Sequence, residues 1–354
     1  MKLSWCVLAA LLFVVGCGPA TPSPQPSDDS GLPDAAHSPD IDDNNNSASW
    51  RWIEIEGSAC GNGTPTGLGI SEGSDPSRMM IFFAGGGACW DTASCYVFNA
   101  ASHIETRYGE QRFASDLAAM QNSGIIDRAS GPFAEATFVF VPYCTGDLHA
   151  GDAIGSYDAF NPNRLVHHKG AVNVAAYLGH LTAAYPDVSE LYVLGVSAGG
   201  YGAVINQPRI QAAYPGARVH VLSDCSPMVQ PRDGRWGMWK SAWKMAFPEG
   251  CDGCADSFPE LAAHIVESSP NSRFGLLAWH DDAVVAVFFA YQSGLGAATR
   301  KLIEDVYPGQ PGSQASAFHM PGTEHVMLPD YETLKDPDGQ SLRSFVQAWV
   351  DGTH

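Results

Sequence analysis

This 354-residue sequence predicts an α/β fold in which a mostly parallel central sheet is covered by helices on both faces. Three observations carry the prediction. Apolar runs rich in β-branched or aromatic residues recur at 79–83, 137–141, 191–194, 219–222 and 274–279. Stretches with helical periodicity lie among them, for example 171–184, 198–212 and 341–350. Strands apolar along their whole length, rather than at alternate positions, are buried on both faces, as in a parallel sheet whose crossover helices cover it. No second linker or internal repeat interrupts the chain after Trp50, so residues 50–354 read as one domain. A hydrophobic content of 45% is ample for its core.

Ligand sites in such sheets form at the carboxyl ends of strands. The run 191–194 leads into Gly195-Val196-Ser197-Ala198-Gly199 and then into a helical stretch. In a G-x-S-x-G turn between strand and helix, residues without bulk let backbone pass close to the serine and lift its oxygen above the sheet. Ser197 is therefore the candidate nucleophile; the plainer alternative is a glycine-rich connection with a solvent-facing serine.

Three further segments follow predicted strands. Ala84-Gly85-Gly86-Gly87-Ala88-Cys89-Trp90 can turn backbone N–H groups towards the serine. Acyl transfer needs such donors because negative charge develops on the carbonyl oxygen, and the N–H of Ala198 is a second one. Trp279-His280-Asp281-Asp282 offers a carboxylate to orient a histidine; of two adjacent acids, one is expected at the site and the other at the start of a helix at 283–291. Gly322-Thr323-Glu324-His325 lies in a loop after the strand-like 315–320. The order serine, acid, histidine is that of an α/β-hydrolase. Among 12 histidines His325 is preferred to His280, which precedes the acids, and to His319, which falls inside a strand. The chemistry is ester hydrolysis through an acyl-serine, with no cofactor and no metal. His167-His168 is not a metal pair, since neighbours on a helix diverge by about 100°.

The first 17 residues read as a targeting segment. Lys2 precedes an apolar stretch at 7–15 that is too short to span a bilayer. The ending Val14-Val15-Gly16-Cys17 resembles a bacterial lipoprotein signal, which implies lipidation at Cys17. Residues 18–49, rich in Pro, Ser, Asp and Asn, read as a disordered tether, so the expectation is an exported, membrane-anchored protein with a secreted one as the alternative. A formal charge of −19 and the absence of any basic stripe exclude nucleic acid as a partner. Export favours disulfides among Cys60, Cys89, Cys95, Cys144, Cys225, Cys251 and Cys254. Seven is odd, so at least one stays unpaired within the domain. Connectivity does not follow from sequence, but Cys89–Cys95 makes a small loop and Cys60–Cys144 staples the start of the domain to a central strand. Cys251-Asp-Gly-Cys254 has redox or zinc-knuckle spacing, and without a second pair nearby a local disulfide is the reading.

With these pieces assembled, the chain resembles the pectin acetylesterase family, which includes the Notum carboxylesterases. The resemblance rests on Gly85-Gly86-Gly87-Ala88-Cys89-Trp90, Val141-Pro142-Tyr143-Cys144-Thr145-Gly146-Asp147, Gly195-Val196-Ser197-Ala198-Gly199-Gly200, Asp281-Asp282-Ala283 and His325. It implies a secreted serine esterase with an α/β-hydrolase-like fold. It also implies the triad Ser197, Asp281 and His325, because the family pattern puts the acid first in its run. Backbone donors are implied near Gly86, Gly87 and Ala198. Ala84 before the glycines, Ala88 after them and Ser223-Asp224-Cys225-Ser226 depart from the family pattern at the pocket wall, so the substrate does not carry over. Trp90, Tyr96 and Trp279 are candidate pocket residues, each equally placed to be core, and Asp147 is expected to steady its loop. The expected function is a monomeric carboxylesterase removing an acyl group from a carbohydrate or similar ester. The alternatives are a lipid-ester or acyl-protein hydrolase with a long apolar pocket, and a surface lipoprotein that only binds.

Overall fold

The computed structural model describes residues 49–120, 124–309 and 313–353, so the signal segment, Cys17 and the tether up to residue 48 lie outside it. In chain order the strands are β1 (Trp50–Ala59), β2 (Pro65–Ser71), β3 (Asp75–Phe83), β4 (Ala136–Val141), β5 (Ala153–Ser156), β6 (Leu165–His168), β7 (Glu190–Val196), β8 (Arg218–Asp224), β9 (Phe274–Trp279) and β10 (Ala315–Met320). Eight of them form one sheet in the order β1-β2-β4-β3-β7-β8-β9-β10, and β5 pairs with β6 in a separate hairpin. From β4 to β10 neighbours run parallel; β1 and β2 add an antiparallel edge. The mostly parallel sheet is therefore as the sequence predicts, and the antiparallel edge and the hairpin are additions to it.

Helices connect the strands. They are α1 (Glu110–Met120), α2 (Gly170–Ala184), α3 (Ala198–Ala213), α4 (Arg235–Trp243), α5 (Phe258–Glu267), α6 (Ala283–Phe288), α7 (Leu295–Val306) and α8 (Leu342–Asp351). Alternate residues of each central strand point to opposite faces. Ile81, Phe83, Val193 and Val221 pack with Tyr177, Tyr201, Val204, Leu261, Ile265 and Leu302 from α2, α3, α5 and α7. Met80, Phe82, Tyr192, Leu194 and Leu222 pack with Phe113, Leu117, Phe345 and Trp349 from α1 and α8. Burying each large side chain contributes about 1.5–3 kcal/mol, which is why these strands carry no polar alternation.

Parallel register brings the functional segments to one edge. Phe83 pairs with Gly195, Val196 with Asp224, Asp224 with Leu277, and Trp279 with Met320. The glycine loop, Ser197, Asp224, the two acids and the His325 loop therefore all leave the sheet on the same side.

The six paired cysteines form Cys60–Cys144, Cys89–Cys95 and Cys251–Cys254, and Cys225 is free and buried. Cys144 lies just beyond β4 rather than within it. The Cys60–Cys144 bond closes a loop of 84 residues and Cys251–Cys254 one of 3. Loop entropy grows with the length closed, so we expect Cys60→Ser with Cys144→Ser to cost roughly 3–5 kcal/mol of unfolding free energy, and Cys251→Ser with Cys254→Ser less than half of that. Denaturant unfolding of the two double variants measures the difference; equal losses contradict it.

Candidate active site

Ser197 sits between β7 and α3 with φ 53° and ψ −125°, a conformation that a residue with a side chain adopts only under strain. The turn is tight enough to exclude side chains beside it. A Cβ on Gly195 would come within 2.2 Å of the Gly199 carbonyl oxygen, and one on Gly199 within 2.0 Å of the Phe83 carbonyl oxygen. Those contacts are the physical content of the G-x-S-x-G spacing. The turn is also tied to β8: the Ser197 N–H donates to the Asp224 carbonyl at 2.9 Å, and the Ser226 hydroxyl donates to the Ser197 carbonyl at 2.6 Å.

His325 reaches this serine from the loop after β10. Its Nε2 lies 2.9 Å from Ser197 Oγ, and its Nδ1 lies 2.7 Å from Asp282 Oδ2. A carboxylate only accepts, so Nδ1 carries the proton and Nε2 is free to accept the serine's. The acid is Asp282, which corrects the expectation of Asp281. One oxygen of Asp282 faces His325 while the other accepts the N–H groups of Val284 and Val285 at 2.9 and 3.0 Å. A single carboxylate thus caps α6 and orients the imidazole, two roles the sequence reading divides between neighbours. Asp281 is exposed and turned to α7, where it accepts the Gly296 N–H at 2.9 Å. The rival histidines bond to each other, His280 Nε2 to His319 Nδ1 at 2.8 Å.

A buried residue that sequence reasoning missed holds the histidine loop. Asp224, at the end of β8, accepts the Met327 N–H at 2.9 and 3.0 Å and the Leu328 N–H at 2.9 Å. Val326, between them and His325, has φ 65°, an unfavourable conformation for a β-branched residue. The Asp224 hydrogen bonds keep it there. Burial pushes the Asp224 carboxyl up to about 6, and the Leu328 and Met327 N–H groups resist that rise. Next to it, Cys225 Sγ accepts the Val326 N–H at 2.9 Å, and burial together with the Asp224 and Asp282 charges pushes its thiol up.

The glycine loop is held from the Pro-Tyr-Cys segment. Tyr143 donates its hydroxyl proton to the Gly87 carbonyl at 2.8 Å and accepts the Leu148 N–H at 3.0 Å. Asp147 is fully buried and accepts from Thr145 Oγ1, His149 N, Gly151 N and Gly170 N, which fixes the loop and the start of α2. Gly87 faces Ala101 across a bridge whose hydrogen bonds run through its neighbours, Ala88 N–H to Ala100 O and Ser102 N–H to Gly86 O. Among the described residues no acceptor takes the N–H of Gly87 or of Ala198. Both residues line a pocket with Ser197 and His325, whereas Gly86 does not line it.

That pocket is apolar and small. Leu148, Tyr201, Trp239, Val284, Val285, Phe288 and Phe289 complete its wall, and the volume open to the centres of water-sized spheres is about 20 Å³. A single water needs about 10–15 Å³ on that measure. None of Trp90, Tyr96 and Trp279 lines it. Trp90 stands behind the wall against Trp239, ring centroids 5.5 Å apart, and Tyr96 donates to the Arg164 carbonyl at 3.0 Å. Trp279 ends β9 on the other face of the sheet, packed against the α1–α8 core. Of the lining aromatics Tyr201 comes from α3, next to the serine in sequence, whereas Trp239, Phe288 and Phe289 come from α4 and the α6 segment, which approach the serine only through the tertiary fold.

Asp224 gives a test with a defined sign. Its folded-state carboxyl titrates near 6 rather than at the ordinary 3.8, so its contribution to stability is full below about pH 4 and is lost as pH rises through 6. Asp224→Asn lacks that titration. We expect the unfolding free energy of wild type, minus that of Asp224→Asn, to fall by about 2 kcal/mol between pH 4 and pH 7. Denaturant unfolding at the two pH values measures it, and a difference that stays level or rises contradicts the assignment.

A family model described as Pectinacetylesterase matches residues 48–235, just over half of the chain. Palmitoleoyl-protein carboxylesterase notum1' of Xenopus laevis is 26% identical over 181 residues, 47% of this chain and 34% of that protein. Palmitoleoyl-protein carboxylesterase NOTUM of Homo sapiens is 25% identical over 178 residues, 47% of this chain and 33% of that protein. The match thus spans about a third of the length of these relatives. The solved structure of the Wnt deacylase Notum from Drosophila superposes with a TM-score of 0.65 at 18% identity, over 85% of this chain and 93% of that one, and so shares the α/β-hydrolase-like fold. By its matched family, its glycine loop and its Ser197 turn, the chain belongs to the pectinacetylesterase family.

Proposed function

We propose that this protein is a serine carboxylesterase that removes an acetyl or similarly short acyl group, through an acyl-serine intermediate, from a carbohydrate or similar ester. The observation that carries the reading is the unbroken series Asp282 Oδ2, His325 Nδ1 and Nε2, Ser197 Oγ, with steps of 2.7 and 2.9 Å, at the mouth of a small apolar pocket. His325 Nε2 takes the serine proton as Oγ attacks the ester carbonyl. The imidazolium that forms is stabilised by Asp282. Negative charge on the former carbonyl oxygen is met by the Gly87 and Ala198 N–H groups, each such donor being worth about 10²–10³ in turnover. His325 then protonates the leaving alcohol, and a water activated by the same nitrogen releases the acid.

Pocket size favours a short acyl group. The cavity volume is about 20 Å³, and Trp239, Phe288 and Phe289 narrow it. The family description, Pectinacetylesterase, points the same way, towards an acetyl ester. The lipid-acyl alternative draws on the names of the Notum relatives, and this pocket does not favour it. Three disulfides support work outside the cytoplasm. Among the described residues no helix is long and apolar enough to cross a membrane. Attachment through lipidated Cys17 and the tether rests on sequence alone.

Two experiments test the reading. Asp282→Asn is expected to lower kcat on p-nitrophenyl acetate by roughly 10³–10⁴, with Asp281→Asn within a few-fold of wild type; the reverse ranking refutes the relay. Against a series of p-nitrophenyl esters, kcat/KM is expected to fall by roughly a hundredfold or more from acetate to octanoate, and Phe288→Ala is expected to narrow that gap. Octanoate hydrolysed as well as acetate contradicts the short-acyl assignment.

A further inference from the structure

The free thiol lies against the relay. Cys225, Asp282 and His325 each offer one ligand atom, and the three atoms lie within 4.8 Å of one another. Cys225 is the one cysteine of the described domain outside a disulfide. It is held in place by a left-handed φ of 53° and by the Val326 N–H donated to its sulfur at 2.9 Å. His325 lines the pocket and keeps 20% of its side chain exposed, while Asp282 and Cys225 lie buried behind it.

We propose that Cys225 Sγ, Asp282 Oδ2 and His325 Nδ1 form a binding site for a thiophilic divalent cation, zinc being the natural case, and that occupancy switches the esterase off. The inhibitory part rests on the function proposed above; the site itself does not. Thiolate, imidazole and carboxylate are the donor types zinc takes, and three protein ligands leave a fourth position for water. Tetrahedral coordination needs ligand atoms about 3.4 Å apart. The Nδ1 to Oδ2 distance must therefore widen from 2.7 Å, a movement of less than an ångström.

The proton balance explains the inhibition. Cys225 releases its thiol proton to solvent when the metal–sulfur bond forms. The metal takes the lone pair of Nδ1, so the proton that Nδ1 carried moves to Nε2 and the ring stays neutral. Nε2 then bears a hydrogen and has no lone pair to accept from Ser197 Oγ. The nucleophile is left unactivated without any change in the oxyanion donors or the pocket.

The experiment has two arms on the full-length chain. Cadmium, titrated into wild type, is expected to produce a thiolate-to-metal absorption band that is lost in Cys225→Ser and weakened in His325→Gln, and this arm needs no turnover. Zinc is expected to inhibit hydrolysis of p-nitrophenyl acetate, reversibly with EDTA, and Cys225→Ser is expected to need roughly tenfold more zinc, or more, for half-inhibition relative to its own metal-free rate. Cys225→Ala replaces the serine variant if that one does not fold. A band that persists in Cys225→Ser, or is as strong in His325→Gln as in wild type, overturns the site. Zinc sensitivity unchanged by Cys225→Ser overturns the switch. If wild type hydrolyses no ester at all, the proposed function falls while the cadmium arm still decides the site.

Discussion

The turn between β7 and α3 leaves no room for a side chain at Gly195 or Gly199, and the rest of the site is arranged around that steric limit. With the Phe83 carbonyl 2.0 Å from where a Cβ on Gly199 would stand, the first turn of α3 lies almost on top of β3. That closeness places the Ala198 N–H beside the serine and brings the glycine loop after β3 to the same rim. It also forces Ser197 into a left-handed conformation that only its surroundings maintain. Helix packing on both faces of the sheet supplies the rigidity to hold it.

Three strained residues meet at this site. Ser197, Cys225 and Val326 all have positive φ, and each is bonded to another part of the site: Ser197 N–H to the Asp224 carbonyl, Cys225 N–H to the Leu277 carbonyl, and Val326 N–H to Cys225 Sγ. Asp224 joins the turn and the histidine loop, with its carbonyl on the first and its carboxylate on the second. Backbone strain of this kind costs on the order of 1–3 kcal/mol per residue and persists only where neighbours over-determine it. Here it fixes the positions of a hydroxyl and an imidazole that are 128 residues apart in the chain.

Which parts were legible in the sequence follows from how local their signals are. Ser197 and the glycine loop announce themselves because the steric demand and the glycines that meet it are neighbours in the chain. The parallel sheet is legible because burial on both faces removes polar alternation from each strand separately. His325 could be ranked above His280 and His319 by chain order. Between Asp281 and Asp282 the sequence held no physical preference, since the choice depends on where α6 begins: the residue whose carboxylate caps that helix is the one aimed at His325. Pocket residues were misplaced for a related reason. Trp90 and Trp279 adjoin the motifs in sequence, whereas Trp239 and Phe288 reach the serine only after α4 and α6 have folded over it. Asp224 reads from sequence as part of a segment at the pocket wall after the 219–222 strand; it does not line the pocket, and only its burial under the His325 loop shows what its carboxylate is for.

The central claim is that Ser197 is a nucleophile made reactive by its position and its histidine. A fluorophosphonate probe reports that property directly, because it bonds covalently to an activated serine and leaves ordinary hydroxyls alone. Incubated with the intact protein and followed by peptide mass spectrometry, it is expected to form one adduct, on the peptide carrying Ser197, and none in Ser197→Ala or His325→Gln. An unlabelled wild type, or labelling that survives in Ser197→Ala, would contradict the account.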